Sequence, residues 1–309
     1  MSWEKAECIP GSHDSSWGQN PLTAPEAVRD TPPHDKLRAH LASGRRDLMT
    51  KLLSSPLYTF GSGERLATHA VSPFAIYHIR AGWACRFHDL PEAPRAIIDI
   101  FLPGDVIGVD VALRRRTSGG VLSLTSVTAG VIEGQDTLVD LMVCRHTALY
   151  ITWLLTQRQQ RTDRQLISVL SLDARGRVAT ILLDVYTRLR RRRLITGLTY
   201  SLPLTQMQFA SYLGITVVHV NRVLRYLREE RIVQLEKHCV TILDLDRLRK
   251  LAQQEVMENT QFPIIAPPLS GTGLSRSEAA DLACGAVKRD SAYIHISPAT
   301  TTTTECEAP

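Results

Sequence analysis

Apolar positions along this chain fall into two textures. Between residues 57 and 143 they come in short runs, PFAIYHIRAGWACRF, AIIDIFLPGDVIG and VLSLTSVTAGVI, split by Gly, Pro and Asp. Frequent turns and β-branched residues predict short strands folded into a sandwich or roll. A helix over 35–54 is predicted before them. After Leu138 the spacing changes. Residues 146–170 contain no Gly or Pro, and Ala148, Ile151, Leu155, Thr162 and Val169 recur at intervals of three, four and seven. That period predicts one long helix with a narrow apolar seam, interrupted by Arg158 and Gln165. A seam of this width suits a partner helix, with packing inside its own chain as the competing reading. A second helix is predicted from Asp173 to Arg190, with Val178, Ile181, Leu182, Val185 and Leu189 on one face. It ends in the run Arg190 to Arg193, which reads as a solvated helix end, and Gly197 and Pro203 break the chain after it.

The ends differ from this middle. Residues 1–33 are rich in Ser, Pro, Gly, Asp and Glu without apolar periodicity and read as a disordered leader. Residues 255–309 run through PIIAPPLSGTG to TTTTTECEAP and read as a low-complexity, disordered tail, in which Ser275 to Val287 has the pattern of a short helix. The division expected is therefore a strand-rich domain at 34–143, a long helix at 144–171 and a second, helical domain at 172–254. The fold class is α+β: an N-terminal β-roll, a long helix and a C-terminal winged helix-turn-helix.

The last of these rests on LPLTQMQFASYLGITVVHVNRVLRYLREERIV. Thr205 can cap a helix beginning at Gln206, because its hydroxyl satisfies an orphan backbone N–H. Phe209, Ala210 and Leu213 face inward, and Ala210 is small where two helices must approach. Gly214 can take the positive φ that ends the helix in a tight turn. Ile215 packs inward and Thr216 caps the next helix. There Val220, Val223, Leu224 and Leu227 form an i, i+3, i+4, i+7 stripe, leaving Val217, Val218, His219, Asn221, Arg222 and Arg225 to meet a ligand. A helix of this kind fits the major groove with its N-terminal residues at base edges. Arg222 is the candidate for a bidentate contact to guanine. Asn221 and His219 can donate to base or phosphate, and Val217 and Val218 can touch a thymine methyl. Residues 231–236 and 239–243 read as a hairpin wing that places Lys237 at phosphate, and Leu245 to Leu251 as a closing helix.

Charge changes this picture in one respect. The whole chain carries a formal +5, whereas Tyr186 to His238 holds ten Lys or Arg against three acids, a net +7. The positive excess is concentrated in the winged-helix segment, as phosphate neutralisation requires. The six cysteines, Cys8, Cys85, Cys144, Cys239, Cys284 and Cys306, are scattered, and none forms a CxxC pair. They suggest neither a structural zinc site nor an iron–sulfur cluster, and they read as reduced thiols in the cytoplasm. The N-terminus lacks the apolar core of a secretory signal, and no apolar run approaches a membrane span. No Ser-His-Asp set, phosphate loop, metal cluster or paired carboxylates with a supporting context is found, so no enzyme, cofactor or metal is expected.

With these residues in place, the chain resembles the Crp/Fnr family of bacterial transcription regulators over roughly residues 35 to 252. LPLTQMQFASYLGITVVHVNRVLRYLREERIV is similar to the family's winged helix. Ile79 to Gly108, with AGWACRF and FLPGDVIG, is similar to its cyclic-nucleotide-binding-type β-roll. Gly82 and the turn Pro103-Gly104-Asp105 sit where that roll needs tight corners, with Gly108 at the usual spacing. The resemblance implies that the long helix is the dimerisation helix. It also implies a homodimer that reads a two-fold symmetric site in double-stranded DNA and contacts RNA polymerase. The family's recognition positions fall on Val217, Val218, Asn221 and Arg222. The arginine agrees with the family pattern, whereas many members carry a polar pair where this chain has Val217 and Val218, so the usual half-site does not carry over.

The sensor departs further. Cyclic-AMP-binding members place a glutamate and an Arg-Ser/Thr pair after the PGD turn, and no glutamate stands between Gly108 and Thr128. Arg114 to Arg116 with Thr117 and Ser118 read as a solvated loop that can also meet an anion. Iron–sulfur members carry an N-terminal cysteine cluster where this chain has only Cys8. Cys85 and His88 are three apart in the roll, and strand alternation turns them to opposite faces, against a shared haem. The effector is unknown, and no membrane partner is expected. The leading expectation is a sequence-specific DNA-binding regulator. The alternative, motivated by Val217 and Val218, is a ligand-sensing or protein-interaction module that has lost specific readout.

Overall fold

The computed structural model describes residues 35–67, 75–91, 93–112, 119–134 and 136–252. The expected leader, the expected tail with Ser275 to Val287, and Arg114 to Ser118 lie outside the described residues. The first helix, α1 (Asp35–Ser54), precedes strands β1 (Leu57–Phe60), β2 (Arg65–Ala67), β3 (Ile76–Ala81), β4 (Ala84–Leu90), β5 (Ala93–Phe101) and β6 (Val106–Ile107). A single turn, α2 (Val109–Ala112), precedes β7 (Gly119–Ser123) and β8 (Val127–Ile132). Then come α3 (Thr137–Val143), α4 (Arg145–Ser171), α5 (Ala174–Arg191), β9 (Thr199–Ser201), α6 (Gln206–Leu213) and α7 (Val217–Glu229). The hairpin β10 (Val233–Glu236) and β11 (Cys239–Ile242) leads to α8 (Leu245–Leu251).

The strands at 57–132 form the expected roll. Two antiparallel sheets, ordered β1-β8-β3-β6 and β2-β7-β4-β5, share a core of Leu66, Tyr77, Ile79, Phe101, Ile107, Val121, Val127 and Val131. Gly82 turns β3 into β4 with φ 83°, and a Cβ there would meet the Ser126 carbonyl oxygen at 2.0 Å, so the corner admits only glycine. The period of two in β4 and β5 then divides their side chains. Ala84 and Phe101, paired across the two strands, point into the roll. Cys85 and Ile100, the next pair, join a second core that contains α5, α6 and α7. One sheet thus serves two cores, and the winged-helix segment is docked on its outer face.

The long helix has the predicted span but a different neighbour for its seam. Ile151 is fully buried with Leu41, Leu48 and Leu52 of α1, and Ala148, Leu155, Thr162 and Val169 are partly buried. The two interruptions explain the direction. Arg158 ion-pairs with Asp110 and lies 5.2 Å from the centre of the Phe101 ring. The Gln165 side-chain amide donates to the Tyr212 carbonyl at 2.8 Å. The seam therefore runs along the chain's own roll and then its own α6. The exposed apolar residues of α4 are others: Leu166 (55% exposed), Ile167 and Leu170 (76%). Among the described residues, no single helix is long and apolar enough to cross a membrane.

Candidate nucleic-acid interface

The helix pair forms where its caps predict. Thr205 accepts a hydrogen bond from the Gln208 amide at 3.2 Å, and the Gln208 side chain accepts from the Thr205 amide at 2.9 Å, a complete capping box. The sequence signal for that second bond is the spacing Thr-x-x-Gln, which a reading of Thr205 alone misses. Gly214 closes α6 with φ 64°. Thr216 accepts from the His219 amide at 3.3 Å and starts α7. Phe209, Ala210 and Leu213 of α6 and Val220, Val223 and Leu227 of α7 are buried in one core, with Ile215 and Leu224 packed at its edge.

The wing is larger than the sequence suggested. Hairpin β10–β11 turns through Lys237 (φ 45°) and His238 (φ 67°), two successive left-handed residues. A third strand, β9, pairs with β11 through Tyr200 opposite Val240. Its buried Tyr200 hydroxyl donates to the Leu182 carbonyl at 2.8 Å, which ties the wing to α5. Burial holds that phenol well above its usual range.

Most of the expected contact residues are exposed. Thr205, Gln206, Thr216, Val218, His219, Asn221, Arg222, Arg225 and Lys237 are all exposed, Val218 at 67%. Val217 departs from the reading, because it packs partly against the core. Asn221 is less independent than its position implied: its side-chain N–H donates to Gln206 Oε1 at 3.1 Å, linking α7 to the start of α6. His219 Nδ1 lies 3.2 Å from the Thr216 hydroxyl. Arg222 and Arg225 have no hydrogen-bond or ion-pair partner among the described residues, so α7 presents two uncommitted guanidiniums.

In the basic run at the end of α5, Arg190, Arg191 and Arg193 are exposed as expected, and Arg192 is the exception. Arg192, expected in solvent, contacts Asp105 of the Pro103-Gly104-Asp105 turn at 2.5 Å, and Arg188 contacts the other carboxylate oxygen at 2.6 Å. Burial alone would raise the Asp105 carboxyl. The Arg192 and Arg188 charges outweigh it and hold the group well below the usual carboxylate range. Arg190 donates to the Tyr186 hydroxyl at 2.5 Å. Part of the local +7 is thus turned inward. Cys85 is buried at the same junction, and its burial pushes the thiol up to about 12.

Comparison with known proteins agrees with this geometry. Residues 176–251 match the Crp-like helix-turn-helix domain. The chain is 27% identical over 193 residues to the transcriptional activatory protein AadR of Rhodopseudomonas palustris, covering 62% of this chain and 80% of that protein. It is 26% identical over 200 residues to the nitrogen fixation regulation protein FixK of Bradyrhizobium diazoefficiens, covering 62% and 80%. Among solved structures, FixK2 from Bradyrhizobium japonicum matches with a TM-score of 0.56 at 20% identity, over 64% of this chain and 96% of that one. A Crp-family transcriptional regulator from Thermus thermophilus matches with a TM-score of 0.50 at 17% identity, over 63% and 96%. These last two share the α+β layout of roll, long helix and winged helix. The exposed α7, the matched domain and the regulators to which the chain is similar lead to one conclusion: this chain is a DNA-binding transcription regulator with a Crp-like helix-turn-helix domain at residues 176–251, similar to regulators of the Crp/Fnr family.

Proposed function

We propose that the chain works as a homodimer in the cytoplasm, reading a two-fold symmetric DNA site with α7 in the major groove and contacting RNA polymerase from the bound position. The division of α7 carries this reading. One side of the helix is locked into the core by Val220, Val223 and Leu227, and the other offers Val218, His219, Asn221, Arg222 and Arg225. Arg222 is the principal base reader, since a guanidinium without an internal partner can give two parallel hydrogen bonds to guanine. Val218 contributes apolar contact, and Asn221 acts from a position set by Gln206. Thr205, Thr216, Arg225 and Lys237 contact the phosphate backbone. Two copies meet along the exposed side of α4, where Leu166, Ile167 and Leu170 lie. The effector is a small molecule of unassigned class.

The test is binding to promoter fragments chosen by genome-wide site mapping. Arg222→Ala is expected to lose about 1–3 kcal/mol of discrimination at one base pair per half-site. Lys237→Ala is expected to weaken binding to all sequences alike and to reduce the salt slope by about one. Wild-type binding without preference over random DNA, or an Arg222→Ala variant with unchanged preference, sinks the reading. Light scattering checks the dimer against a monomer of 34.4 kDa.

A further inference from the structure

Away from the DNA-facing surface, α1 and the start of α4 touch unusually closely. A Cβ added at Gly44 would lie 1.9 Å from the His146 carbonyl oxygen, so only glycine lets the two backbones meet there. His40 and Asp47 stand four positions before and three after Gly44, hence on the same side of α1. The consequence is a convergence of chemistry. The ligating atoms of Asp47, Cys144 and His146 all lie within 4.8 Å of one another. The His40 ring lies 4.7 Å from that of His146 and supports its orientation. Cys144 is the N-cap residue of α4, where the first amides of a helix favour a thiolate.

We propose that Asp47, Cys144 and His146 form a binding site for a divalent transition ion of the zinc class. The donor set decides the class. A sulfur and an imidazole select zinc-like ions over magnesium or calcium, and three protein ligands leave one of four tetrahedral positions to water. A carboxylate and a thiolate together neutralise the ion's two charges. Without metal, the Cys144 thiol donates to Asp47 at 3.8 Å and Arg145 Nε donates to His146 Nε2 at 3.3 Å. Binding replaces both hydrogen bonds and releases the thiol proton to solvent, with no electron transferred. The bound ion ties the first helix of the sensor to the base of the long helix. Charge nearby is mixed: Arg145 opposes the cation, and Asp47 attracts it.

The experiment uses the reduced, tag-free full-length chain, stripped by chelator and titrated anaerobically with Co2+. One equivalent is expected to bind with thiolate-to-cobalt charge-transfer absorption, and Zn2+ is expected to displace it. Cys144→Ser should abolish the absorption and weaken Zn2+ binding at least tenfold. Asp47→Asn should weaken it by a similar factor. Cys239→Ser, in the wing, should bind as wild type does. Zn2+ should raise the melting temperature of wild type and leave that of Cys144→Ser unchanged. Binding below one equivalent, or charge-transfer absorption that survives in Cys144→Ser, overturns the proposal.

Discussion

Gln206 and Asn221 stand 15 positions apart and share one hydrogen bond, so the proposed reader Asn221 on α7 is oriented by the first residue of α6. Gln206→Ala should therefore relax base preference at the position Asn221 faces. Chemical melts of the same variant should agree with wild type to within about 0.5 kcal/mol, as for other surface substitutions. Val217 teaches the reverse. It lies three positions before Val220 and continues the buried stripe by one turn, so spacing alone predicts its partial burial against its expected place on the exposed face. Elsewhere a single side chain sets a pH limit. Burial, with Arg80 and Arg192 nearby, pushes the His78 imidazole down from 6.5 to about 4. The folded chain then holds this proton less tightly than the unfolded chain. The stability that the neutral ring contributes is complete above about pH 6.5 and is lost as pH falls through about 4. Urea melts should show this acid decline, up to about 3 kcal/mol, and His78→Gln should flatten it.

Helices announced themselves through caps and period, because both are local. α1, α4 to α8 and the turn at Gly214 were legible for that reason. Thr216→Ala should cost about 1 kcal/mol of stability in thermal melts by removing one such cap. What a helix packs against was not legible in the same way. The spacing of Ala148, Ile151, Leu155, Thr162 and Val169 specifies an apolar face, yet it says nothing about whether another chain or the same one covers it. The structure turns that face inward and leaves Leu166, Ile167 and Leu170 outside. Charged replacements at Leu166 and Leu170 should accordingly shift a dimer toward monomer in sedimentation experiments without lowering the melting temperature of the fold. Strand β9 escaped notice because three residues with one buried side chain, Tyr200, are too short to display alternation.

At the scale of the molecule, charge joins what the hydrophobic pattern had separated. Asp105 pairs with Arg188 and Arg192, Asp99 with Arg161, and Asp184 with Arg164 and Arg188. The roll, the long helix and the winged helix are thereby bound into one network. Asp105→Asn should cost about 3–5 kcal/mol in urea melts, because it leaves the Arg192 guanidinium without its carboxylate and Arg188 with that of Asp184 alone. Since the Asp105 carboxyl is held well below its usual range, this contribution should persist unchanged through the neutral range and fall only in strong acid. None of this was readable along the chain. Asp105 is separated from its two arginines by 83 and 87 positions, and Asp47 from Cys144 by 97. A count of basic residues sees their number and not their direction.

Strand β5 is the outer strand of its sheet, nine residues long, and helix α6 lies against it. The Ser211 hydroxyl donates to the Arg95 carbonyl at 2.7 Å and accepts from the Ile97 amide at 3.1 Å. The helix that supports DNA reading is therefore also the cover of a sheet edge. Any motion that lifts α6 from the roll bares unpaired backbone groups, the usual starting point for strand-to-strand aggregation. A regulator built this way has a reason to keep its two halves together while it searches DNA, and its solubility should report on that contact as directly as its DNA affinity.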